Sequence, residues 1–353
     1  MRLLAYTDNV DLGGGDLSMA HLLANLDPAV EVTVLGVTQR IVDRVAARRP
    51  GAATRVVRQP SGGHDWPSFR AHLSAIRELA PDIVHANLAS PWSCQYAIAA
   101  AGLLRSPRVI AVYQLPVPPI SERQRRMKRL TARAVDRHVG VGERTSRAVE
   151  ELVGLPSGSV TTIHNGVPDD VPLPPSRLYP GPVVGAVGRL EPQKGFDILI
   201  RALRDVDGAT LFVVGDGTER AALEELAGRV GVADRVVWSG WRDDVRSFVA
   251  SFDVVAFPSR FEGFPLAVLE ALLARSAVVA ADVGSVGEVV RDGGTGLLVP
   301  PEDPAALAEA LRRLLADAEL RRGLGDAGRQ LVLERFTAAH MTRGFEALYR
   351  ELA

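Results

Sequence analysis

The fold is decided by the stretch Gly185-Ala186-Val187-Gly188-Arg189-Leu190-Glu191-Pro192-Gln193-Lys194-Gly195. It ends a short apolar strand predicted over 183–187 and leads into a helix predicted over 196–203. Such a strand–loop–helix unit favours an open α/β sheet, whose ligands bind at the carboxyl ends of the strands, where this loop lies. Its two cations, Arg189 and Lys194, have few competing acids and suit a diphosphate. The alternative, two solvated loop cations, stays open from this stretch alone.

The same alternation of strands and helices continues on both sides of this loop. In the first half we predict strands over 2–6, 32–36, 83–86, 109–112 and 138–141, and helices over 16–26 and 65–79. In the second half we predict further strands over 210–214, 236–238, 254–257 and 277–280, and helices over 218–229, 264–274 and 304–317. The sequence therefore predicts two parallel sheets in tandem, each covered by helices on both faces.

A proline-rich stretch separates the two halves. Residues 167–182 hold six prolines and favour an extended connection, because proline fixes its own backbone and cannot continue a helix. We expect domains over 1–170 and 171–335. The tail over 336–353 carries Met341, Phe345, Leu348 and Leu352 on one helical face, which predicts an amphipathic helix that packs back on the first domain.

The composition limits the class of protein. The chain has 353 residues, 47% hydrophobic, with 41 Lys plus Arg against 42 Asp plus Glu. This balance argues against a nucleic-acid partner. One cysteine, Cys94, builds neither a disulfide framework nor a cysteine metal site. No stretch reaches the roughly 18 apolar residues of a membrane span, and an acid follows the start too soon for a secretory signal. We expect a cytoplasmic protein, and the richness in Ala, Arg and Val suggests a bacterium with GC-rich DNA.

A second charged segment is Arg260-Phe261-Glu262-Gly263-Phe264-Pro265-Leu266-Ala267-Val268-Leu269-Glu270-Ala271. Gly263 and Pro265 mark a helix start, whose free amides favour anions. Glu262 lies just outside the predicted helix and Glu270 about two turns in, on the order of 10 Å apart along the axis. The two carboxylates then suit opposite ends of one extended ligand. In the alternative interpretation no ligand is involved: Glu262 is a surface acid and Glu270 is an exposed residue of the helix.

Three weaker features are also candidates for a functional role. Gly13-Gly14-Gly15 precedes a helix and lets backbone approach a ligand, or is only a flexible turn. His85 stands at the carboxyl end of a strand, where it is either a catalytic residue or, as the alternative, a structural one. The basic segment 123–133 is typical of a solvated helix face, and weak contact with an anionic membrane surface is the other interpretation.

Together these segments resemble glycosyltransferase family 4, a group of retaining enzymes with the GT-B architecture of two Rossmann-like domains facing each other across a cleft. The resemblance runs nearly end to end. It depends most on Val187 to Gly195 and on the Glu-x7-Glu motif from Glu262 to Glu270. Further segments in family order are Gly13-Gly14-Gly15, Asp82-Ile83-Val84-His85, His164-Asn165-Gly166-Val167 and Gly294-Thr295-Gly296-Leu297-Leu298-Val299-Pro300.

The resemblance implies a function and a set of roles. A hexose-type sugar would pass from a nucleotide-diphosphate donor (UDP, GDP or similar) to an acceptor hydroxyl, without metal or cofactor. Arg189 and Lys194 would hold the diphosphate, Glu262 the sugar and Glu270 the ribose. Trp241 and Arg242 would meet the base. The remaining donor contacts implied are Gly14, Gly15, Gly215, Gly263, Phe264, Pro265 and Leu266. The first domain would bind an acceptor (aglycone, glycan or lipid-linked), with His85 and Tyr113 on that side.

One departure from the family weakens the enzymatic interpretation. Many members carry a histidine at the strand end that here reads Ala111-Val112-Tyr113-Gln114, and Tyr113 stands in its place. Two alternatives therefore stay open: a sugar-nucleotide epimerase of the same fold, and a nucleotide-sugar binding protein without activity. The acceptor, the linkage and the oligomeric state are not predicted.

Overall fold

The computed structural model of the chain describes residues 1–62, 64–170, 181–242 and 245–353. It divides into two compact units. The first unit comprises Met1–Pro168 and Ala338–Ala353, and the second Asp169–Thr337. Of the prolines expected in the connection, Pro172, Pro174, Pro175 and Pro180 lie outside the described residues.

The strands of each unit form one parallel sheet. In the first unit they are β1 (Arg2–Thr7), β2 (Glu31–Gly36), β3 (Ala53–Val56), β4 (Ile83–Leu88), β5 (Arg108–Tyr113), β6 (Arg137–Gly140) and β7 (Val160–Thr162). In the second they are β8 (Val183–Val187), β9 (Thr210–Val214), β10 (Val236–Trp238), β11 (Val254–Phe257), β12 (Ala277–Ala281) and β13 (Leu297–Val299). The strand orders are β3-β2-β1-β4-β5-β6-β7 and β10-β9-β8-β11-β12-β13, and the predicted pair of parallel sheets is confirmed.

Helices connect the strands and cover the sheets. They are α1 (Gly14–Asn25), α2 (Gln39–Ala46), α3 (Trp66–Leu79), α4 (Gln95–Leu104), α5 (Glu122–Ala132), α6 (Glu143–Val153), α7 (Phe196–Leu203), α8 (Arg220–Arg229), α9 (Val245–Val249), α10 (Leu266–Leu273), α11 (Pro304–Ala316), α12 (Ala318–Arg335) and α13 (Ala338–Leu352). No helix in the described ranges is both long and apolar enough to cross a bilayer.

The strands have apolar sequences because they are buried. All four residues of β11, from Val254 to Phe257, are buried, as expected for a strand covered on both faces. Helix α13 contributes Met341, Phe345 and Leu348 to the interior of the first unit. Leu352, expected on the same face, is only partly buried, and Tyr349 is buried instead.

Several helices were not predicted, and α12 shows why. Its sequence includes Gly325 and Gly328, and glycine inside a helix costs about 1 kcal/mol relative to alanine. Both glycines are required by packing, since a Cβ on Gly325 would stand 2.2 Å from the carbonyl oxygen of Arg275, and one on Gly328 2.6 Å from the Leu272 side chain. Close packing on neighbouring segments thus outweighs a weak local preference for helix.

Candidate functional site

The reversal of strand order in the second unit marks the place of a ligand site. Strand β8 lies between β9 and β11, so the chain leaves β8 toward one side of the sheet and leaves β11 toward the other. Ligands of open parallel sheets bind in the crevice at this position, outside the carboxyl ends of the strands. Arg189 and Lys194 follow β8, and Glu262 follows β11. The two charged segments singled out in the sequence therefore meet at the switch point.

Glycines allow the loop after β8 to pack closely on its neighbours. Residues Pro192–Lys194 form a single 3-10 turn that ends at Gly195, whose φ is +64°. A Cβ on Gly195 would lie 2.1 Å from the carbonyl oxygen of Pro258, which directly follows β11. Gly215, with φ of +145°, likewise lies against the carbonyl oxygen of Gly188. Backbone packing of this closeness holds the loop in one position and presents Lys194 to the switch point.

Arg260 links the loop after β8 to the loop after β11 through hydrogen bonds, a role that the sequence did not predict. Its guanidinium donates a pair of hydrogen bonds of 2.8 and 2.9 Å to the Asp197 carboxylate and another of 2.5 Å to Glu302. Its backbone amide donates to the carbonyl of Gln193 at 2.8 Å. Burial acts to raise the pKa of Asp197, but the hydrogen bonds from Arg260 outweigh it and lower that pKa. Arg260 is thus a positioning residue, held by acids from two separate segments of the chain.

The central contact of the site joins Lys194 and Glu262. The Lys194 Nζ donates to the Glu262 Oε1 at 2.5 Å, and the Ser259 hydroxyl donates to the same oxygen at 2.8 Å. Glu262 is buried, and Lys194 keeps 24% of its side chain exposed. The backbone of Glu262 is also confined, because a Cβ on Gly284 would stand 1.9 Å from its carbonyl oxygen. An ammonium that is partly open to solvent thus lies against a carboxylate held from two sides.

Arg189 is the open cation of the site. It is exposed, and within the described ranges its guanidinium has no hydrogen bond or ion pair. A guanidinium without a protein partner keeps its five donors for an anion. Arg189 belongs to the same loop as Lys194, whose ammonium contacts the buried Glu262 carboxylate, and such a loop suits a ligand carrying both phosphate and hydroxyl groups.

The start of α10 differs from the prediction. The helix begins at Leu266, with Pro265 as its N-cap, two residues later than expected. Glu262 therefore stands four residues before the first helical residue, and Glu270 lies little more than one turn into the helix instead of two. The helical rise therefore does not give their separation, because half of the intervening chain is not helical. Glu270 is partly exposed and engaged with neighbouring groups.

The other donor contacts implied by the resemblance occupy varied positions in the second unit. Trp241 is 57% exposed, and the Arg242 guanidinium lies 4.6 Å from the centroid of the Phe248 ring. Gly215 pairs with Gly240, directly before Trp241, through a 2.9 Å backbone hydrogen bond. The Phe264 side chain is buried against Phe336, so only its backbone is left to line a ligand. These residues surround the same end of the sheet.

The glycine loop of the first unit is part of a helix. Gly14 and Gly15 form the first turn of α1, and Gly13 is its N-cap. The Asp16 carboxylate accepts hydrogen bonds from Gly13, Thr7 and Asn9, and its burial raises its pKa. Asp16 thus caps the helix. A Cβ on Gly15 would lie 2.8 Å from the side chain of Gln114, the residue that follows β5, so a larger residue than glycine does not fit there.

His85 and Tyr113 both point into the interior of the first unit. His85 Nδ1 is hydrogen-bonded to the Tyr349 hydroxyl at 2.7 Å, and burial lowers the pKa of His85 to about 3. The Tyr113 hydroxyl is hydrogen-bonded to His138 at 2.9 Å, and burial raises the pKa of Tyr113. Each side chain is thereby engaged in packing. The polar side chain at this strand end that faces Gly15 is Gln114, which the sequence analysis did not single out.

Two tandem parallel α/β units, with cations and a carboxylate gathered at the switch point of the second, define the GT-B class of fold. A family model described as "Glycosyltransferase Family 4" matches residues 12–171, and one described as "Glycosyl transferases group 1" matches residues 181–317. The chain belongs to the group 1/family 4 glycosyltransferases.

Two curated relatives and one solved structure are similar to this chain. The lipopolysaccharide core biosynthesis glycosyltransferase LpsE of Rhizobium meliloti is 35% identical over 46% of this chain and 48% of its own length. The chain thus matches about half the length of that relative. The 2-deoxystreptamine N-acetyl-D-glucosaminyltransferase of Streptomyces fradiae is 28% identical over 95% of this chain and 90% of its own. The crystal structure of Anabaena HepE in complex with UDP-glucose superposes with a TM-score of 0.87 at 20% identity, covering 99% of this chain and 100% of that one.

Proposed function

We propose that this chain transfers a hexose-type sugar from a nucleotide-diphosphate donor to an acceptor hydroxyl, with retention of the anomeric configuration. The observation that carries the proposal is the 2.5 Å contact of Lys194 with Glu262 at the switch point. A phosphate-binding cation lies there beside a carboxylate suited to sugar hydroxyls. Family membership supports the reaction class, and the UDP-glucose bound by HepE supports the class of donor.

The two cations stabilise the leaving group in this proposal. The reaction breaks the bond between the anomeric carbon and a phosphate oxygen, so negative charge grows on the departing nucleoside diphosphate. Arg189 binds it through its planar fork of donors and Lys194 as a point charge. Because Lys194 is held at the end of the sheet by Glu262 before the reaction, its charge stabilises the leaving group with little reorganisation. We propose that no divalent metal is needed for this step.

The carboxylates position the rest of the donor. Glu262 accepts hydrogen bonds from the transferred sugar, and Lys194 and Ser259 hold its carboxylate in place for that purpose. Glu270 binds the ribose hydroxyls. Trp241 and Arg242 meet the base edge, and the backbone from Gly263 to Leu266, with Gly215, lines the sugar and phosphates.

We assign acceptor binding to the first unit. The acceptor carries the hydroxyl group that receives the sugar, and it is an aglycone, a glycan or a lipid-linked sugar. Relatives act on different acceptors, as the lipopolysaccharide core and 2-deoxystreptamine in their names indicate. We assign neither His85 nor Tyr113 to acceptor binding, because both are engaged in the interior of the unit.

A donor screen followed by a transfer assay tests the proposal. A nucleotide sugar at 100 times its dissociation constant should stabilise the protein by about 2.7 kcal/mol in a thermal-shift experiment. The stabilising donor is then incubated with panels of acceptors, and NMR of the product reports its anomeric configuration. Inversion would contradict the proposal. Isomerisation of the donor without acceptor would indicate an epimerase, and binding without any turnover a non-catalytic protein.

A further inference from the structure

Large apolar side chains are exposed on one side of the first unit. Ile120, two residues before α5, is 91% exposed, and within α5 Met127 is 49% and Leu130 56% exposed. Two more stand on the neighbouring helices, Trp66 at 66% in α3 and Leu103 at 63% in α4. Exposed apolar groups of this size mark an interaction surface when they lie side by side.

Contacts between the helices place these side chains along one face. The Arg123 side chain contacts His64, which brings the start of α5 next to the start of α3, where Trp66 stands. At the other end, a Cβ on Gly102 would lie 2.4 Å from the Ala134 side chain, so the end of α4 meets the chain just after α5. Trp66 and Leu103 therefore flank α5 at its two ends. We call α5 with Ile120, Trp66 and Leu103 the α5 face.

The α5 face is also positively charged. Arg123, Arg126 and Arg133 are exposed, and their spacings of three and seven residues place them on the side that carries Leu130. The one acid of α5, Glu122, is paired with Arg125 at 2.9 Å. The opposite side of the helix is packed on the unit through Lys128 and Ala132, both buried. Exposed arginines thus alternate with exposed apolar groups in a chain whose total charge is nearly balanced.

We propose that the α5 face binds the surface of an anionic phospholipid bilayer. Arginine guanidiniums pair with lipid phosphates and are attracted by the negative surface potential, while Met127, Leu130 and Trp66 enter the boundary between headgroups and acyl chains. A soluble polyanion would use the arginines but not the apolar side chains. The combination of both on one helix therefore favours a membrane, and this inference is independent of the proposed donor site.

Sedimentation of the full chain with vesicles tests the inference. We expect binding to vesicles with about 30% anionic lipid at low salt, and little binding to neutral vesicles or at high salt. A charge variant, Arg123→Gln with Arg126→Gln and Arg133→Gln, should weaken binding on the order of 100-fold, since each arginine contributes about 1 kcal/mol. An apolar variant, Met127→Ser with Leu130→Ser, should weaken it by at least about 10-fold.

Two matched controls make the result specific. The first replaces three exposed arginines elsewhere, Arg48, Arg313 and Arg350, by glutamine. The second replaces Val10 and Val56, exposed apolar residues of the first unit, by serine. Neither control should change binding by more than about twofold. Absence of sedimentation with anionic vesicles at low salt would overturn the inference. So would an apolar variant that binds as the native protein does, since that result would indicate a soluble polyanion as the ligand.

Discussion

The ammonium of Lys194 lies 2.5 Å from the carboxylate of Glu262, although 68 residues separate them in the chain. Each residue comes from a different loop, and the two loops meet because β8 and β11 are neighbours in the sheet. The contact links the part of the site proposed for phosphate with the part proposed for sugar. It also means that a change in one residue alters the charge next to the other.

Replacement of Lys194 should weaken binding of nucleoside diphosphate and donor alike. We expect Lys194→Ala to reduce the affinity for bare nucleoside diphosphate by about 1.5–3 kcal/mol, because a charge-assisted hydrogen bond to phosphate is lost. Isothermal calorimetry measures the loss, and Arg201→Ala, an exposed change on α7, serves as the control. Unchanged affinity in Lys194→Ala would show that the phosphates bind elsewhere.

Chemical labelling offers an independent check, because Lys128 and Lys194 are the two lysines of the sequence. Lys128 is buried with 1% of its surface exposed, so an amine-acylating reagent should modify Lys194 and spare Lys128. Saturating nucleoside diphosphate should protect Lys194 in peptide mass spectra. Equal labelling with and without the nucleotide would count against the assignment.

The two glutamates should differ in their effects. Glu262→Gln should reduce turnover strongly but leave bare nucleoside diphosphate bound no more weakly, because that ligand has no sugar and Lys194 loses its competing anion. Glu270→Gln should weaken donor and bare nucleotide alike, by about 1.5–3 kcal/mol. Calorimetry on both variants, together with initial rates, separates the roles. Similar losses of nucleotide affinity in the two variants would contradict them.

Chelation tests the proposed role of the cations. In the described ranges no group of three or more His, Cys, Asp or Glu side chains is placed to hold a metal ion. With Arg189 and Lys194 stabilising the diphosphate, EDTA should leave the initial rate within about twofold of the untreated enzyme. A rate that falls on chelation and returns with Mg²⁺ or Mn²⁺ would assign that role to a metal.

Lys128 should destabilise the first unit at neutral pH. Its Nζ is buried without a hydrogen-bond partner in the described structure, 5.1 Å from the centroid of the Tyr113 ring. Burial lowers its pKa from 10.5 to about 7. Lys128→Met, which keeps the volume and removes the amine, should therefore raise the free energy of unfolding by about 3–5 kcal/mol at pH 7.

The pH dependence of this effect has a definite sign. Between pH 7 and 10.5 the unfolded chain binds the Lys128 proton and the folded chain does not, so stability rises with pH across this window. Thermal unfolding at both ends of the window should show Lys128→Met closer to the native protein at the alkaline end. A constant difference between the two proteins would show that Lys128 does not titrate in this range.

The separate elements of the second unit were largely predictable. Strands over 183–187, 210–214, 236–238 and 254–257 have the predicted bounds, because short apolar runs between glycine and charged residues are a strong local pattern. The helix start at Leu266 was misplaced by two residues, since Phe264 is buried by packing on Phe336 and not by an amphipathic helix. The basic segment 123–133 was recognised by its charge, but the inward position of Lys128 was not.

By itself the sequence determined the alternation of strands and helices, the two charged segments and the family they resemble, because these depend on residue type and spacing along the chain. Only the tertiary structure decided which side chains meet. It placed Lys194 against Glu262, fastened their loops through Arg260, and turned Tyr113 toward His138 while Gln114 faces Gly15. Neighbouring residues of a strand point to opposite faces, and strands distant in sequence become neighbours in the sheet. Strand order and side-chain facing are thus properties of the assembled sheet, and the site depends on both.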